Sequence, residues 1–149
     1  MDLHLPFEDY YFARSRNGLI CFHSWHNDNC GPTYICNPIA REYIMLPRYE
    51  RWYWWTGFGY THSTNEYKVV QICEFGEDSN LGSVQVYTIG SGTGRRNAGK
   101  IDINMSDVRK GAGVFVNGDL NWVNYYQQTI LVFHLTDEKF CELLSPYSG

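Results

Sequence analysis

Asn17-Gly18-Leu19-Ile20-Cys21-Phe22 opens a pattern that returns as Asn117-Gly118-Asp119-Leu120-Asn121-Trp122-Val123, a tight turn followed by an apolar run. Between the two lies a similar run, Tyr67-Lys68-Val69-Val70-Gln71-Ile72-Cys73. A second apolar run follows each of them, at Tyr34-Ile35-Cys36, Val84-Gln85-Val86-Tyr87 and Ile130-Leu131-Val132-Phe133. The chain therefore contains three similar units, with a repeat length of about 50 residues.

Each unit has the pattern of a small antiparallel sheet, because short apolar runs alternate with turn residues. Asn117-Gly118 between residues 113–116 and 120–123 is typical of a two-residue β-hairpin turn. A period of about 50 residues is that of a kelch-type propeller blade. The sequence predicts an all-β fold of antiparallel propeller-type sheets. About three kelch-like blades would form an incomplete or open β-propeller, because closed propellers typically have about four to eight.

The strands expected within the units differ in clarity. Tyr10-Tyr11-Phe12 is a candidate first strand of the first unit. Polar residues predict loops over residues 24–32 and 75–82, of which the second is acidic. The fourth strand of the second unit is the weakest and is expected within residues 95–103. No segment keeps a helical period for three turns, so the sequence predicts no helix.

Composition argues against several classes of protein. A net charge of −4, with 12 Lys and Arg residues, gives no support to binding of a nucleic-acid backbone. No apolar stretch is long enough to cross a membrane, and residues 1–9 lack the pattern of a secretory signal. We expect small buried thiols in a reducing compartment, and hence a cytoplasmic or nuclear protein. The five cysteines are Cys21, Cys30, Cys36, Cys73 and Cys141.

Catalytic and metal sites find little support in the sequence. A nucleophile needs a base within hydrogen-bond reach, and no motif surrounds any of the scattered histidines. Four neighbouring residues are of types that bind zinc: Cys21, His23, His26 and Cys30. Their spacing is loose, so a buried cysteine beside a polar loop is the expected arrangement. The sequence predicts no catalytic residue, no metal and no cofactor.

The most unusual local feature is the aromatic run Arg51-Trp52-Tyr53-Trp54-Trp55, between the first and second units. Trp, Tyr and Arg are the side chains that most often anchor interfaces. Two interpretations stay open, packing between neighbouring blades and contact with a partner. Strand alternation would send Trp52 and Trp54 one way and Tyr53 and Trp55 the other, which leaves one pair available. Arg95 and Arg96 are further candidates, for an acidic patch on a partner.

A series of ordered motifs resembles the plant F-box-associated domain. The motifs are Asn17-Gly18-Leu19-Ile20-Cys21, Tyr34-Ile35-Cys36-Asn37-Pro38-Ile39-Ala40-Arg41-Glu42-Tyr43, Leu46-Pro47, Gly57-Phe58-Gly59-Tyr60, Ser63-Thr64-Asn65-Glu66-Tyr67-Lys68-Val69-Val70, Val86-Tyr87-Thr88, Gly113-Val114-Phe115-Val116-Asn117-Gly118 and Leu131-Val132-Phe133. The resemblance extends over residues 17–146. It implies that residues 1–149 are one partial F-box-associated domain.

The resemblance implies a substrate-recognition module of a cullin-type ubiquitin ligase, which holds a target protein and is not itself catalytic. Family members normally carry an F-box, the helical segment that docks on the ligase adaptor, ahead of this domain. Residues 1–16 are not expected to supply one, so the adaptor is a partner only if an F-box is present elsewhere. Gly94 also stands where the family often has a tryptophan, which puts the strand that begins near Arg95 in doubt.

Other functions remain open at this stage. The aromatic run would also suit a carbohydrate- or small-ligand-binding protein on a propeller-like scaffold. A domain without its F-box would act as a truncated decoy. Exposed sheet edges would allow a structural homo-oligomer, because unpaired edge strands pair readily with another chain.

Overall fold

The computed structural model of the chain describes residues 9–26, 29–46, 53–75, 78–102, 111–124 and 128–144. Across these ranges the chain forms thirteen β-strands and no helix. The strands make three sheets that follow one another along the chain, named here the first, middle and last sheets. None of the described residues belongs to a helix that could cross a membrane.

The first and last sheets have the same form, four strands in chain order with each strand antiparallel to the next. The first sheet contains β1 (Asp9–Arg16), β2 (Leu19–His26), β3 (Asn29–Asn37) and β4 (Glu42–Met45). The last sheet contains β10 (Val114–Val116), β11 (Asp119–Asn124), β12 (Thr129–His134) and β13 (Lys139–Leu144).

The middle sheet has a fifth strand. Its antiparallel part contains β5 (Tyr53–Thr61), β6 (Glu66–Phe75), β7 (Asp78–Thr88) and β8 (Arg95–Asp102). The short strand β9 (Gly111–Ala112) adds to β5 in parallel, with Gly111 opposite Trp55. Two residues carry no readable period, so the sequence did not predict β9. The segment that leads into the last sheet is thereby hydrogen-bonded to the middle one.

Two Asn-Gly turns fix the hairpins that open the first and last sheets. Asn17 and Gly18 have φ of 49° and 82°, and Asn117 and Gly118 have φ of 50° and 84°. Two consecutive positive φ values define the turn whose twist matches paired strands, and Asn and Gly adopt them most readily. The hairpin predicted at Asn117-Gly118 is confirmed.

The larger core lies between the middle and last sheets. Alternate residues of β6 and β7 face the last sheet, and rings and aliphatic chains of β11 and β12 meet them. The buried members are Trp55, Val70, Ile72, Val84, Val86, Ile101, Leu120, Trp122, Leu131, Phe133 and Leu135. Non-directional burial of apolar surface is the main attraction between the two sheets.

Close approach of β5 to the last sheet depends on Gly57. A Cβ atom at Gly57 would lie 2.7 Å from Leu120 Cδ1 and 2.9 Å from Trp122 Cζ2. Real Cβ atoms do not approach so closely, so any larger residue would push the sheets apart or displace these side chains. The missing side chain at position 57 is what lets Trp122 lie against the backbone of β5.

In the described part of the chain, the interface between the first and middle sheets combines apolar and polar contacts. Its buried apolar cluster contains Cys21, Ile35, Leu46, Phe58 and Val69. Beside it the buried Gln71 donates a hydrogen bond from Nε2 to Thr33 Oγ1, at 2.9 Å. Among the described side chains, the first sheet is therefore attached to the middle one by an apolar cluster and by a specific hydrogen bond.

The fold class predicted from the sequence is confirmed, since the chain is all-β with three sheets and the weak fourth strand lies at β8 (Arg95–Asp102). Two predicted loops are wrong in extent. β2 continues to His26 and β3 begins at Asn29, while β6 continues to Phe75 and β7 begins at Asp78. Polar side chains did not end these strands, because the ladder is made by main-chain groups that every residue but proline carries.

Candidate functional site

Six short turns gather along one end of the three sheets, and we call this end the turn rim. They connect β1 to β2, β3 to β4, β5 to β6, β7 to β8, β10 to β11 and β12 to β13. Contacts between sheets show that the turns share a side. Lys68, beside the β5–β6 turn, donates from Nζ to the carbonyl oxygen of Leu135, in the β12–β13 turn, at 2.9 Å. Leu19, after the β1–β2 turn, packs against the same buried cluster as Tyr67 and Ile89 of the middle sheet.

Glu138 is the centre of an ion cluster on the turn rim. Its carboxylate accepts hydrogen bonds from both terminal nitrogens of Arg96, one of them at 2.6 Å, and lies 3.2 Å from Lys68 Nζ. The hydrogen bond from Arg96, with the added effect of Lys68, lowers the pKa of Glu138 although burial opposes this. The cluster joins the middle sheet to the last one.

The side chain of Arg95 lies on the opposite face of the middle sheet from that of Arg96. Successive residues of a strand point to opposite faces of a sheet, and Arg95 donates from Nη1 to Gln71 Oε1 at 2.6 Å, on the side of the first sheet. Gln71 in turn donates to Thr33. Arg96 therefore connects the middle sheet to the last one, while Arg95 bonds the middle-sheet residue Gln71, which itself contacts the first sheet. Both side chains, which the sequence offered as partner contacts, take part in contacts within the chain.

The structure describes only part of the aromatic run. Arg51 and Trp52 lie outside the described residues, and Tyr53 and Trp54 begin β5 but their side chains lie outside the described part. Trp55 is 2% exposed, and its ring stacks on Trp122 with centroids 5.7 Å apart and planes 12° apart. The burial of Trp55 agrees with the interpretation that the aromatic run packs between neighbouring blades. The prediction that Trp55 contacts a partner is wrong, because a ring buried between sheets cannot reach a protein or a sugar.

Among the predicted contact residues, Tyr53 at the start of β5 and Arg95 at the start of β8 lie at opposite ends of the middle sheet. Arg95 pairs with Tyr87, which is level with Val69 and Phe58 across the ladder. Tyr53 is five residues from Phe58 along β5, which corresponds to about 16 Å along the strand direction. One small partner surface cannot include both groups.

Sequence reasoning missed an exposed apolar group on the first sheet. Ile39, in the β3–β4 turn, is 92% exposed, and three consecutive residues of the edge strand β4, Tyr43, Ile44 and Met45, are also exposed. Single exposed apolar residues are ordinary, whereas a cluster on an edge strand marks a contact surface. The apolar residues are visible in the sequence, but alternation alone does not say which face of a strand a neighbouring sheet covers.

An aromatic group stands on the turn rim at the end of β5. The Tyr60 ring contacts the edge of His62 and the tilted ring of Tyr67, with centroids 4.9 Å and 4.8 Å away. The Tyr60 hydroxyl donates to Asn65 Oδ1 across the turn. His62 is exposed and held by these contacts, so a partner on the turn rim would meet a preformed polar and aromatic surface.

Possible metal ligands are dispersed in the described part of the chain. Its histidines, cysteines and carboxylates nowhere gather in groups of three that could hold a metal ion. Cys21 is buried, and burial raises the pKa of its thiol far above the ordinary value. The side chains of His23, His26 and Cys30 lie outside the described part. The expected burial of the thiols is confirmed for Cys21, Cys36 and Cys73, while Cys141 is exposed.

Comparisons with known proteins identify the family. A family profile described as the F-box associated beta propeller domain matches residues 1–146. The F-box protein At3g07870 of Arabidopsis thaliana is 30% identical over 91% of this chain, which spans 38% of that relative. A chain in the crystal structure of a nidogen/laminin complex has a TM-score of 0.59 at 9% identity, over 97% of this chain and 50% of that one. The last likeness shows the fold alone.

The resemblance inferred from the sequence motifs is therefore confirmed, and sheets built from four antiparallel strands in chain order are the blades of a β-propeller domain. Because the profile match extends over nearly all of its residues, this chain belongs to the F-box-associated β-propeller domain family.

Proposed function

We propose that this chain is a protein-binding module that holds a target for a cullin-type ubiquitin ligase and acts by binding rather than by catalysis. The observation that carries the proposal is the family match over residues 1–146, together with the relative named as an F-box protein. An F-box docks on the ligase adaptor, so the present domain would supply the other half of the task, which is contact with the target.

The turn rim is the surface that we propose for target contact. Its turns present side chains on a rigid scaffold of paired strands, the usual arrangement for a recognition surface. Ile39 offers a nearly fully exposed apolar anchor, and Tyr60 with His62 offers aromatic and polar contacts held in place by Asn65. The opposite end of the middle sheet, with Tyr53 and Trp54, is the competing surface.

Affinity capture from a plant extract tests the proposal. The chain would be used with and without an F-box extension taken from the Arabidopsis relative, and captured proteins would be scored for ubiquitin attachment. We expect a target set that binds in both cases and gains ubiquitin only with the F-box. Ile39→Ser should remove that set and Ile39→Val should retain it, because the second change keeps an apolar anchor.

Two results would contradict the proposal. If the F-box fusion captures nothing beyond the F-box alone, the domain does not hold targets. If Ile39→Ser captures the full set while Trp54→Ala loses it, the target surface is the aromatic run rather than the turn rim. Circular dichroism would confirm that each variant keeps its β-sheet signal.

We also propose a cytoplasmic or nuclear location, where the buried thiols of Cys21, Cys36 and Cys73 would remain reduced. A fluorescent fusion expressed in plant cells checks this directly. Fluorescence restricted to the secretory pathway would contradict it.

A further inference from the structure

Among the described strands, the last antiparallel strand of each sheet, β4, β8 or β13, forms one edge of that sheet. Main-chain groups along an edge can pair with a strand of another chain. Proteins usually prevent this with charged side chains, with bulges, or by giving the main-chain groups another partner. The three edges differ in whether they carry such protection.

Two of these edges are protected. In β8 the register with β7 shifts, Gly99 has φ of 114°, and the Gly99 amide already donates to Asn97 Oδ1 at 2.8 Å. The exposed Lys100 follows directly. In β13 the exposed Lys139 and Glu142 place a charge near each end of the strand. Another strand would have to bury these charges or displace the Asn97 side chain.

The edge strand β4 (Glu42–Met45) is not protected in this way. All four of its residues are exposed, and no bulge interrupts its pairing with β3. After Glu42 it continues with the uncharged residues Tyr43, Ile44 and Met45, which are between 44% and 58% exposed. An exposed apolar edge of this kind is the sort that accepts a further strand.

The main-chain groups that β4 turns outward follow from one hydrogen bond. The Leu46 amide donates to the carbonyl oxygen of Thr33 at 2.8 Å, so these two residues form a hydrogen-bonded pair. Hydrogen-bonded and non-hydrogen-bonded pairs alternate along an antiparallel ladder. Ile44 is therefore bonded to β3, whereas the N–H and C=O groups of Tyr43 and Met45 point away from it.

The length of this edge indicates what can occupy it. Four residues span about 14 Å, while a stable contact between two folded proteins buries about 1,200–2,000 Å² and involves about 20–30 residues on each side. By itself β4 is too short to hold a folded domain, a second copy of this chain included. It suits a short extended segment whose protein makes further contacts nearby, for which Ile39 in the turn before β4 is 92% exposed.

We propose that β4 binds an extended, uncharged segment of the target protein, which adds to the first sheet as a fifth strand. The proposal rests on the proposed function, since it states how a target binds beside Ile39 on the turn rim. The segment exchanges hydrogen bonds with the outward main-chain groups of Tyr43 and Met45. Its side chains lie beside those of Tyr43, Ile44 and Met45, which favours β-branched and aromatic residues over charged ones.

Hydrogen exchange of single amides, followed by nuclear magnetic resonance, tests the outward direction of these groups. In the free chain the amides of Tyr43 and Met45 should exchange more than about tenfold faster than the amide of Ile44. A seven-residue peptide selected on the chain from a random phage-displayed library should slow the first two and leave the third unchanged. Slow exchange of Tyr43 and Met45 in the dilute free chain would overturn the proposal. Slowing with rising concentration of the chain alone would replace the target segment by a second copy.

A proline substitution tests the contribution of the main chain to peptide binding. Met45→Pro removes an outward N–H and no bond of the β3–β4 ladder, and edge strands accept proline at such positions. We expect it to weaken binding of the selected peptide more than about tenfold. Met45→Leu, the matched control, keeps the N–H and an apolar side chain and should bind within about twofold of the parent. Circular dichroism checks that both variants keep their β-sheet signal.

Methylated peptides test the same contact without any change to the chain. In an added strand every second amide of the peptide faces β4, and the others face away. Methylation of one alternate set of peptide nitrogens should abolish binding, and methylation of the other set should leave it. Equal effects of the two sets, a selection that yields no peptide, or unchanged binding by Met45→Pro would each overturn strand addition.

Target capture separates this proposal from the proposed function. If the F-box fusion captures the same targets with the parent domain and with Met45→Pro, β4 is not the contact and the proposed function stands. If the fusion captures no target while the selected peptide still slows exchange at Tyr43 and Met45, the proposed function fails, and the assignment of the added segment to a target fails with it.

Discussion

The ring of Trp55 lies nearly parallel to the ring of Trp122, with planes 12° apart, across the boundary between the middle and last sheets. The two residues belong to different units, and both are almost fully buried. Stacked rings bury a large apolar area and add a specific attraction. This pair, beside Gly57, fixes how closely the two sheets approach.

Replacing Trp122 should therefore destabilise the whole domain. We expect Trp122→Ala to lower the free energy of unfolding by about 3–5 kcal/mol, the usual cost of removing a large buried ring. Ile39→Ala, at a nearly fully exposed position, should change it by less than about 0.5 kcal/mol. Urea unfolding followed by far-ultraviolet circular dichroism measures both. Equal effects of the two changes would show that the stack does not support the interface.

Gly57 provides a test of crowding rather than of lost contact. Gly57→Ala should destabilise the domain by about 1–3 kcal/mol, because the new Cβ overlaps Leu120 and Trp122. Adding Leu120→Val should recover part of this loss, since it removes one crowded methyl group. A double-mutant cycle in urea gives the coupling. Strictly additive effects of the two changes would contradict the close approach.

The polar chain between the first and middle sheets should respond to removal of its central residue. Gln71→Leu should lower stability by about 1–3 kcal/mol, because the buried Thr33 hydroxyl and the half-buried Arg95 each lose a hydrogen bond. Adding Thr33→Val should recover part of the loss, since no buried hydroxyl then remains. Thermal unfolding measures the series. A neutral Gln71→Leu would mean that the first sheet is attached by its apolar cluster alone.

Glu138 should make stability depend on acidity. Its folded pKa is lowered, chiefly by the hydrogen bond from Arg96, so its contribution is present above the ordinary value of 4.5 and is lost as pH falls through the folded value. We expect the urea midpoint to fall on acidification below that ordinary value, and Glu138→Gln to flatten this part of the profile. Glu142→Gln, at an exposed carboxylate on β13, serves as the control substitution. Identical profiles for the parent and Glu138→Gln would contradict the prediction.

Local patterns were enough to predict the three sheets. Asn17-Gly18 and Asn117-Gly118 specify tight turns by themselves, and the apolar runs around them need only their immediate neighbours to be recognised as strands. The family resemblance came from the same local motifs. The strand β8 was predicted although its sequence pattern is weak. In the structure it pairs with β7, whatever residue precedes Arg95.

Features that depend on distant parts of the chain could not be predicted in this way. Alternation showed that Trp55 and Trp54 point to opposite faces, but the face of β5 that is covered is decided by Trp122 in the last sheet. Arg95 and Arg96 have the composition of a surface patch, and their contacts with Gln71 and Glu138 arise when three sheets meet. Exposure of Met45 likewise depends on β4 being an edge strand.

The short strand β9 affects how the domain can be assembled during synthesis. Gly111 and Ala112 pair with Trp55 and Thr56 on the edge of β5 that β6 leaves open, yet they leave the ribosome long after β5 through β8 have done so. Until then the inner edge of the middle sheet lacks this partner. The units therefore cannot mature strictly one after another, and a nascent chain arrested before Gly111 would present an open edge to chaperones.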